Sequence, residues 1–331
     1  MRAISVATCC VLLLISSCKS KEDATVQADE KNQTFCIGRH MIDLPTDFRQ
    51  ILPISATFAP PRNSEDATSL EIKVNDKGAT LEAFEKSVGK RWGEIVAFAN
   101  DTTDILKEVI RHNDGEVLFR IQRIDDTYSS ELHLLKASSY LTVDAMSYGG
   151  HFVEMEQKIW ELAQENIDAL QDVPLSKPGF CLGPVQLNGK YEQELANFVF
   201  RSKERPGVVV SIEIDTYTRD AREDLLQRVS GPDSLLKVFD VRNKVLRKGE
   251  RAVAGMLAQE WLSSAMLGEK RQQRNVSFVL ETMRPHPGPN SPSIRVELNA
   301  TPEGVAASDK QLITLWDAIT STIRLAESAH N

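Results

Sequence analysis

Phe35-Cys36-Ile37-Gly38-Arg39 and Phe180-Cys181-Leu182-Gly183-Pro184 are two copies of one phrase, 145 residues apart. Each comes after a polar or proline-containing stretch and leads into an apolar segment, the setting of a domain's opening strand. The interval fits one ordinary domain, so the phrase predicts two similar units in series.

Downstream of each copy the segments come in one order. In the first unit, residues 69–74 alternate as a half-buried strand. Leu81, Phe84, Val88, Trp92, Ile95 and Ala99 then recur at helical steps. Val109-Ile110-Arg111 and Val117 to Ile121 flank Asn113-Asp114-Gly115, a hairpin turn, and further strands are expected near 130–136 and 139–146. Phe152, Met155, Ile159, Leu162, Asn166 and Leu170 predict a closing helix, and Pro174 and Pro178 mark a linker over about 172–179.

In the second unit, strands are expected near 196–201 and 207–217, and a helix over about 220–229. Val245 to Glu250 resembles the earlier hairpin with its Gly115, and further strands are expected near 253–263, 275–283 and 293–300. The last helix opens on a capping box, Ser308 to Gln311, with an apolar face of Leu312, Leu315, Ile319 and Ile323. The fold class expected is α+β: two similar domains in tandem, 34–172 and 180–331, each a mainly antiparallel sheet with helices packed on one face.

The front end sets the compartment. Arg2 gives a positive n-region, Cys9 to Ile15 an apolar run too short to span a bilayer, and Ile15-Ser16-Ser17-Cys18 closes it. This end resembles a bacterial lipobox, which implies a signal peptide over 1–17 and lipidation of Cys18. Lys19 stands where Asp would retain the protein at the inner membrane, so the resemblance implies an anchor in the inner leaflet of the outer membrane, facing the periplasm. Residues 18–33 are polar and aperiodic, a flexible tether. The chain carries 39 basic and 47 acidic residues and no block of five or six basic residues, which argues against nucleic acid as a partner. Membrane contact is expected through the lipid anchor only.

Cys36 and Cys181 remain after the signal and the lipidated cysteine are set aside. They form either a disulfide between the units or two separate buried thiols at equivalent positions.

No catalytic signature is present. The sequence lacks Gly-x-Ser-x-Gly, His-Glu-x-x-His, a Walker loop and the dinucleotide glycine motif, and its six histidines include no i,i+4 pair. Ser87 to Lys90 and Ser234 to Lys237 match Ser-x-x-Lys, without the companion motifs that would give it meaning. Asp125-Asp126 reads as a solvated face, and the four tryptophans fall at apolar positions suited to core packing. No catalytic residue, metal or cofactor is expected. Two connections stand out instead: 59–68, rich in turn formers, and 284–292, with four prolines in nine residues. Proline stiffens a loop and lowers the entropy lost on docking. Arg62, Asn63, Glu65, Asp66, Arg284, His286 and Asn290 are the candidate partner-binding residues on them.

The lipobox, Phe-Cys-Ile-Gly-Arg39 with Ile42-Asp43-Leu44-Pro45 after it, and the second Phe-Cys-Leu-Gly resemble the immunity lipoproteins paired with type VI secretion phospholipase effectors. The resemblance covers nearly all of the mature chain. It implies a non-enzymatic inhibitor whose two domains clamp a cognate lipase in the periplasm and hold its lid shut, preventing self-intoxication. The alternative is a periplasmic ligand-binding or envelope-assembly lipoprotein with no toxin partner.

Overall fold

A computed structural model describes residues 31–59, 69–98, 105–170, 179–189, 191, 193–217, 224–230, 243–267, 273–283, 287–301 and 307–326. The signal peptide, Cys18, the linker after 170, residues 60–68 and residues 284–286 lie outside these.

The first repeat comprises β1 (Asn32–Gly38), β2 (His40–Pro45), β3 (Phe48–Ala59), β4 (Leu70–Lys77), α1 (Leu81–Phe98), β5 (Ile105–Asn113), β6 (Glu116–Gln122), β7 (Thr127–Lys136), β8 (Ser139–Tyr148), α2 (Phe152–Glu161) and β9 (Ile167–Ala169). The second comprises β10 (Phe180–Leu182), β11 (Val185–Leu187), β12 (Gln193–Ser202), β13 (Val208–Asp215), α3 (Leu225–Ser230), β14 (Asn243–Val253), β15 (Met256–Leu267), β16 (Gln273–Thr282), β17 (Ser293–Ala300), α4 (Asp309–Thr320) and β18 (Arg324–Leu325). Element for element the orders match, and the strand pairs are antiparallel throughout.

The sheets show how the repeats meet. Twelve strands run β14-β15-β16-β17-β13-β12-β3-β4-β8-β7-β6-β5, and six run β18-β2-β1-β10-β11-β9. Each order is symmetric about its centre under the repeat, so an internal twofold passes between β12 and β3 and between β1 and β10. Among the described residues the halves are therefore joined through continuous sheet. β3 and β12 pair from Phe48↔Ser202 to Ala59↔Gln193. The closing strands are also exchanged, since β9 pairs with β11 and β18 with β2.

Strict alternation produces the large sheet. In β13 and β17 the even residues Val210, Ile212, Ile214, Ile294, Val296 and Leu298 are buried, while the odd residues other than the terminal Asp215 stay open or partly open. The buried face packs on the small sheet at its centre and on α2 and α4 at its flanks, in one continuous core. The other face carries α1, which closes a separate cluster of Phe84, Val88, Ile95, Val117, Phe119 and Ile121.

The antiparallel α+β class holds, but the helices do not share one face. Residues 117, 119 and 121 of β6 meet α1, whereas Leu118 between them belongs to the core under α2. The second repeat does the same: Gln259 of β15 accepts from Leu226 N–H in α3 at 3.1 Å, and its neighbour Glu260 accepts from Trp316 Nε1 of α4 at 3.2 Å.

Four local expectations need correction. Residues 167–169, expected to be helical, form β9, because pairing with β11 overrides a weak helical pattern. Gly249 lies inside β14 rather than in a turn; the turn is at Ala254-Gly255, whose φ angles of 51° and 74° suit a two-residue hairpin. Trp92 is 50% exposed, since the inward position in that turn of α1 goes to Arg91, which hydrogen-bonds Glu131. The helix expected over 220–229 begins at Leu225 among the described residues.

The repeated phrase forms the seam. β1 pairs with β10 at Ile37↔Leu182 and Gly38↔Cys181, and Cys36 and Cys181 are joined as a disulfide with Cα atoms 5.8 Å apart. Gly38 and Gly183 both have φ near +61°, and a Cβ at Gly38 would lie 3.0 Å from the Phe180 ring. The tight turns after β1 and β10 therefore need glycine twice.

His40, the first residue of β2, is 1% exposed, and its Nδ1 has no partner among the described residues. Burial lowers its pKa to about 4. The folded state thus binds fewer protons than the unfolded state as pH falls from 6.5 towards 4, and stability should drop through that window by about 3 kcal/mol. Urea midpoints at pH 7.5, 5.5 and 4.5 test this: the wild-type decline should flatten in His40→Leu, and an unchanged slope would remove His40 as its source.

Candidate partner-binding surface

One end of the twelve-stranded sheet gathers the two connections singled out from sequence. β3 ends at Ala59 and β4 begins at Leu70; β16 ends at Thr282 and β17 begins at Ser293. The registers Ala59↔Gln193, Leu195↔Asp215 and Asp215↔Ser293 put all these termini at the same end. Between β17 and β3 stand only β13 and β12, so the two connections are anchored about 15 Å apart at the usual strand spacing. The β6–β7 turn, the start of α2, the segment after β13 and the β14–β15 turn share this end.

Of the residues singled out from sequence, Asn290 is exposed in a turn closed by Gly288 and Ser291, each N–H donating to the other's carbonyl. Arg62, Asn63, Glu65, Asp66, Arg284 and His286 lie outside the described residues. Sequence reasoning misses the apolar part of this surface. At this end Ile124 is 62% exposed, Tyr148 70%, Val153 59% and Met146 52%, and Tyr217 and Leu257 are about half exposed. Such residues at a loop-bearing end are the usual make-up of an interface centre. A signal existed: Tyr148 stands before Gly149-Gly150, after the strand and before the helix, where no core position is due.

The open face of the sheet runs into this end from between α1 and α3. Glu281, Arg295, Glu213, Asn197, Ser55 and Lys73 stand in one cross-strand row. Glu71, Asp144 and Glu297 flank it, so carboxylates outnumber cations. Burial raises the pKa of Asp144 against a hydrogen bond from Ser129 Oγ at 2.9 Å, and burial with the neighbouring Asp215 raises that of Glu213. Arg295 is engaged by Glu281 at 3.0 Å and by Glu297, and Glu281 also receives Arg228 of α3. The row is a tied, acidic, polar floor with no acid–base pair set apart from its neighbours. Among the described residues no group of three or more His, Cys, Asp or Glu is placed to hold a metal.

The surface is held in shape by a buried ion pair across the seam. Arg39, in the turn after β1, donates from Nε to both Glu194 oxygens at 2.9 and 3.0 Å and from one terminal nitrogen to Gly189 O at 3.0 Å. Glu194 is fully enclosed at the start of β12, where its own N–H is bound by Thr216 Oγ1 at 2.7 Å. Burial raises its pKa, and Arg39 opposes that rise.

Residues 172–327 match the family model described as the Tle cognate immunity protein 4 C-terminal domain. Curated proteins include no match to the sequence. Solved structures share the fold. The apo form of TplEi, an immunity protein of the type VI secretion system of Pseudomonas aeruginosa, aligns with 89% of this chain and 97% of its own at 21% identity, with a TM-score of 0.64. TplEi from the same organism complexed with an "L" peptide aligns over 89% and 98% at 21% identity, TM-score 0.59. A chain of the Tle4–Tli4 complex aligns over 89% and 97% at 20% identity, TM-score 0.63.

Proposed function

We propose that this chain, whose residues 172–327 carry the Tle cognate immunity protein 4 C-terminal domain, is an immunity protein that binds and inhibits a type VI secreted phospholipase effector. The observation that carries the reading is this family match inside a fold that follows immunity proteins along 89% of the chain. The protein acts by binding and catalyses nothing itself. It acts in the periplasm, anchored through a lipidated Cys18 in the outer membrane. Both repeats grip the effector, through the connections 59–68 and 284–292 and the exposed apolar residues beside them. An antidote of nanomolar affinity, about −12 kcal/mol, normally needs roughly 1,600 Å² of interface, more than either connection alone supplies.

The test is rescue. The phospholipase encoded beside this gene is directed to the periplasm of a sensitive host, and survivors are counted with this protein exported, confined to the cytoplasm, or carrying Cys18→Ser. Survival only with exported protein, and a complex that co-purifies, is the expected result. No survival and no complex would overturn the reading for that pair.

A further inference from the structure

The corner formed by the β6–β7 turn, the end of β8 and the first turn of α2 combines two chemistries. Ile124, Tyr148 and Val153 are each more than half exposed. Ile124 and Tyr148 are brought together by backbone: Tyr148 pairs with Thr127, Thr127 N–H donates to Ile124 O at 3.1 Å, and Gly149 N–H donates to Asp126 O at 2.8 Å, while Val153 follows in the first turn of α2. Around this apolar tip stand Asp125, Asp126 and Glu154, all exposed, with Glu154 3.4 Å from His151. Asp125 holds φ of +53°, a conformation that keeps the turn projecting. The corner is firmly built from behind: Phe152 packs on Tyr128 at 4.9 Å and lies under Arg120, which is paired with Glu156 at 2.6 Å.

We infer that this corner is a phospholipid-like plug that docks in the lipid-entry mouth of the effector. The inference rests on the proposed immunity function. An enzyme that admits anionic phospholipids needs an apolar channel for acyl chains and cations for the phosphate. An apolar tip ringed by carboxylates is complementary to both. The same ring disfavours an anionic membrane surface as occupant, because its carboxylates would be repelled there.

The experiment uses the full chain and a catalytically inactivated effector, with affinity measured by calorimetry, and the active effector for kinetics. Ile124→Ser/Tyr148→Ser should weaken binding about thirtyfold or more, as loss of a central anchor does. Asp126→Lys/Glu154→Lys should slow association and reverse its salt dependence. On mixed micelles containing phosphatidylglycerol, the unmodified chain should raise KM with kcat unchanged. Affinity within twofold of wild type for both double variants, or inhibition that lowers kcat alone, would overturn the plug. So would Tyr148-dependent binding of the chain to phosphatidylglycerol vesicles. Failure of the unmodified chain to bind any effector sinks the immunity function and the plug together, whereas binding indifferent to these substitutions sinks the plug alone.

Discussion

Replacing Cys36 and Cys181 together by alanine is expected to lower the unfolding free energy by about 4–5 kcal/mol, the largest effect expected of any change to this chain proposed above or below. The disulfide closes a loop of 145 residues, so its removal frees a long stretch of unfolded chain. The folded state should change little. Cys181 is fully enclosed and Cys36 nearly so, packed with Met41 and flanked by Leu170 and Ala326, so alanine leaves only a small void. Two signatures in urea unfolding separate this mechanism from simple loss of packing. The midpoint should fall, and the slope with denaturant should rise, because an uncrosslinked denatured chain exposes more surface. A loss below about 1.5 kcal/mol with an unchanged slope would show that the paired strands alone hold the repeats together.

Arg39→Met should cost about 3–5 kcal/mol, the usual result of stranding a buried charge. Its partner Glu194 has a side chain only 1% exposed, and Arg39 supplies every hydrogen bond seen at its carboxylate. The loss carries a pH signature. Burial already raises the pKa of Glu194, and without Arg39 nothing offsets it. In the variant the folded state therefore binds a proton more readily than the unfolded state, and stability rises as pH falls through the raised value. The deficit against wild type should be largest above neutrality and shrink towards pH 5. Arg39→Met/Glu194→Leu, which removes both charges, should recover at least half the loss. Chemical unfolding at pH 7.5 and 5 reads both, and a pH-independent deficit that the double variant does not relieve would mean that Arg39 acts through packing.

Both changes fall on one short phrase that the sequence states twice. Its recurrence with the same strand order is enough to foresee a duplicated antiparallel fold, since alternation and turn chemistry are local and survive in a single chain. The Asn113-Asp114-Gly115 hairpin and the Ser308 capping box are of this kind, and both are present. Pairing between the repeats is not local. Residues 167–169 and 324–325 become strands only because the other repeat offers an edge, and nothing in their own composition says so. The joining of β3 to β12 across the repeats is equally invisible from either strand alone.

The candidate surface is legible in part. Two long connections are recognisable by their turn residues and prolines, but that their anchors share one end comes from register, which periodicity does not report. Ile124, Tyr148 and Val153 escape notice because exposed apolar residues look like core residues in a sequence. Asp125-Asp126 looks like an ordinary solvated face, because its apolar neighbour Tyr148 arrives from a strand about twenty residues further along the chain.

The internal twofold has a consequence for valency. Two identical repeats assembled this way as separate subunits would be an isologous dimer with the same connections at both ends of the sheet, and so two equal docking places. In this chain the counterparts of residues 60–69 and 283–292 at the opposite end are residues 203–207 and the two-residue turn Ala137-Ser138. Joined in one polypeptide, the repeats were free to differ, and only one of the two symmetry-related ends kept this pair of long connections. The molecule retains the frame of a pair but presents that surface once.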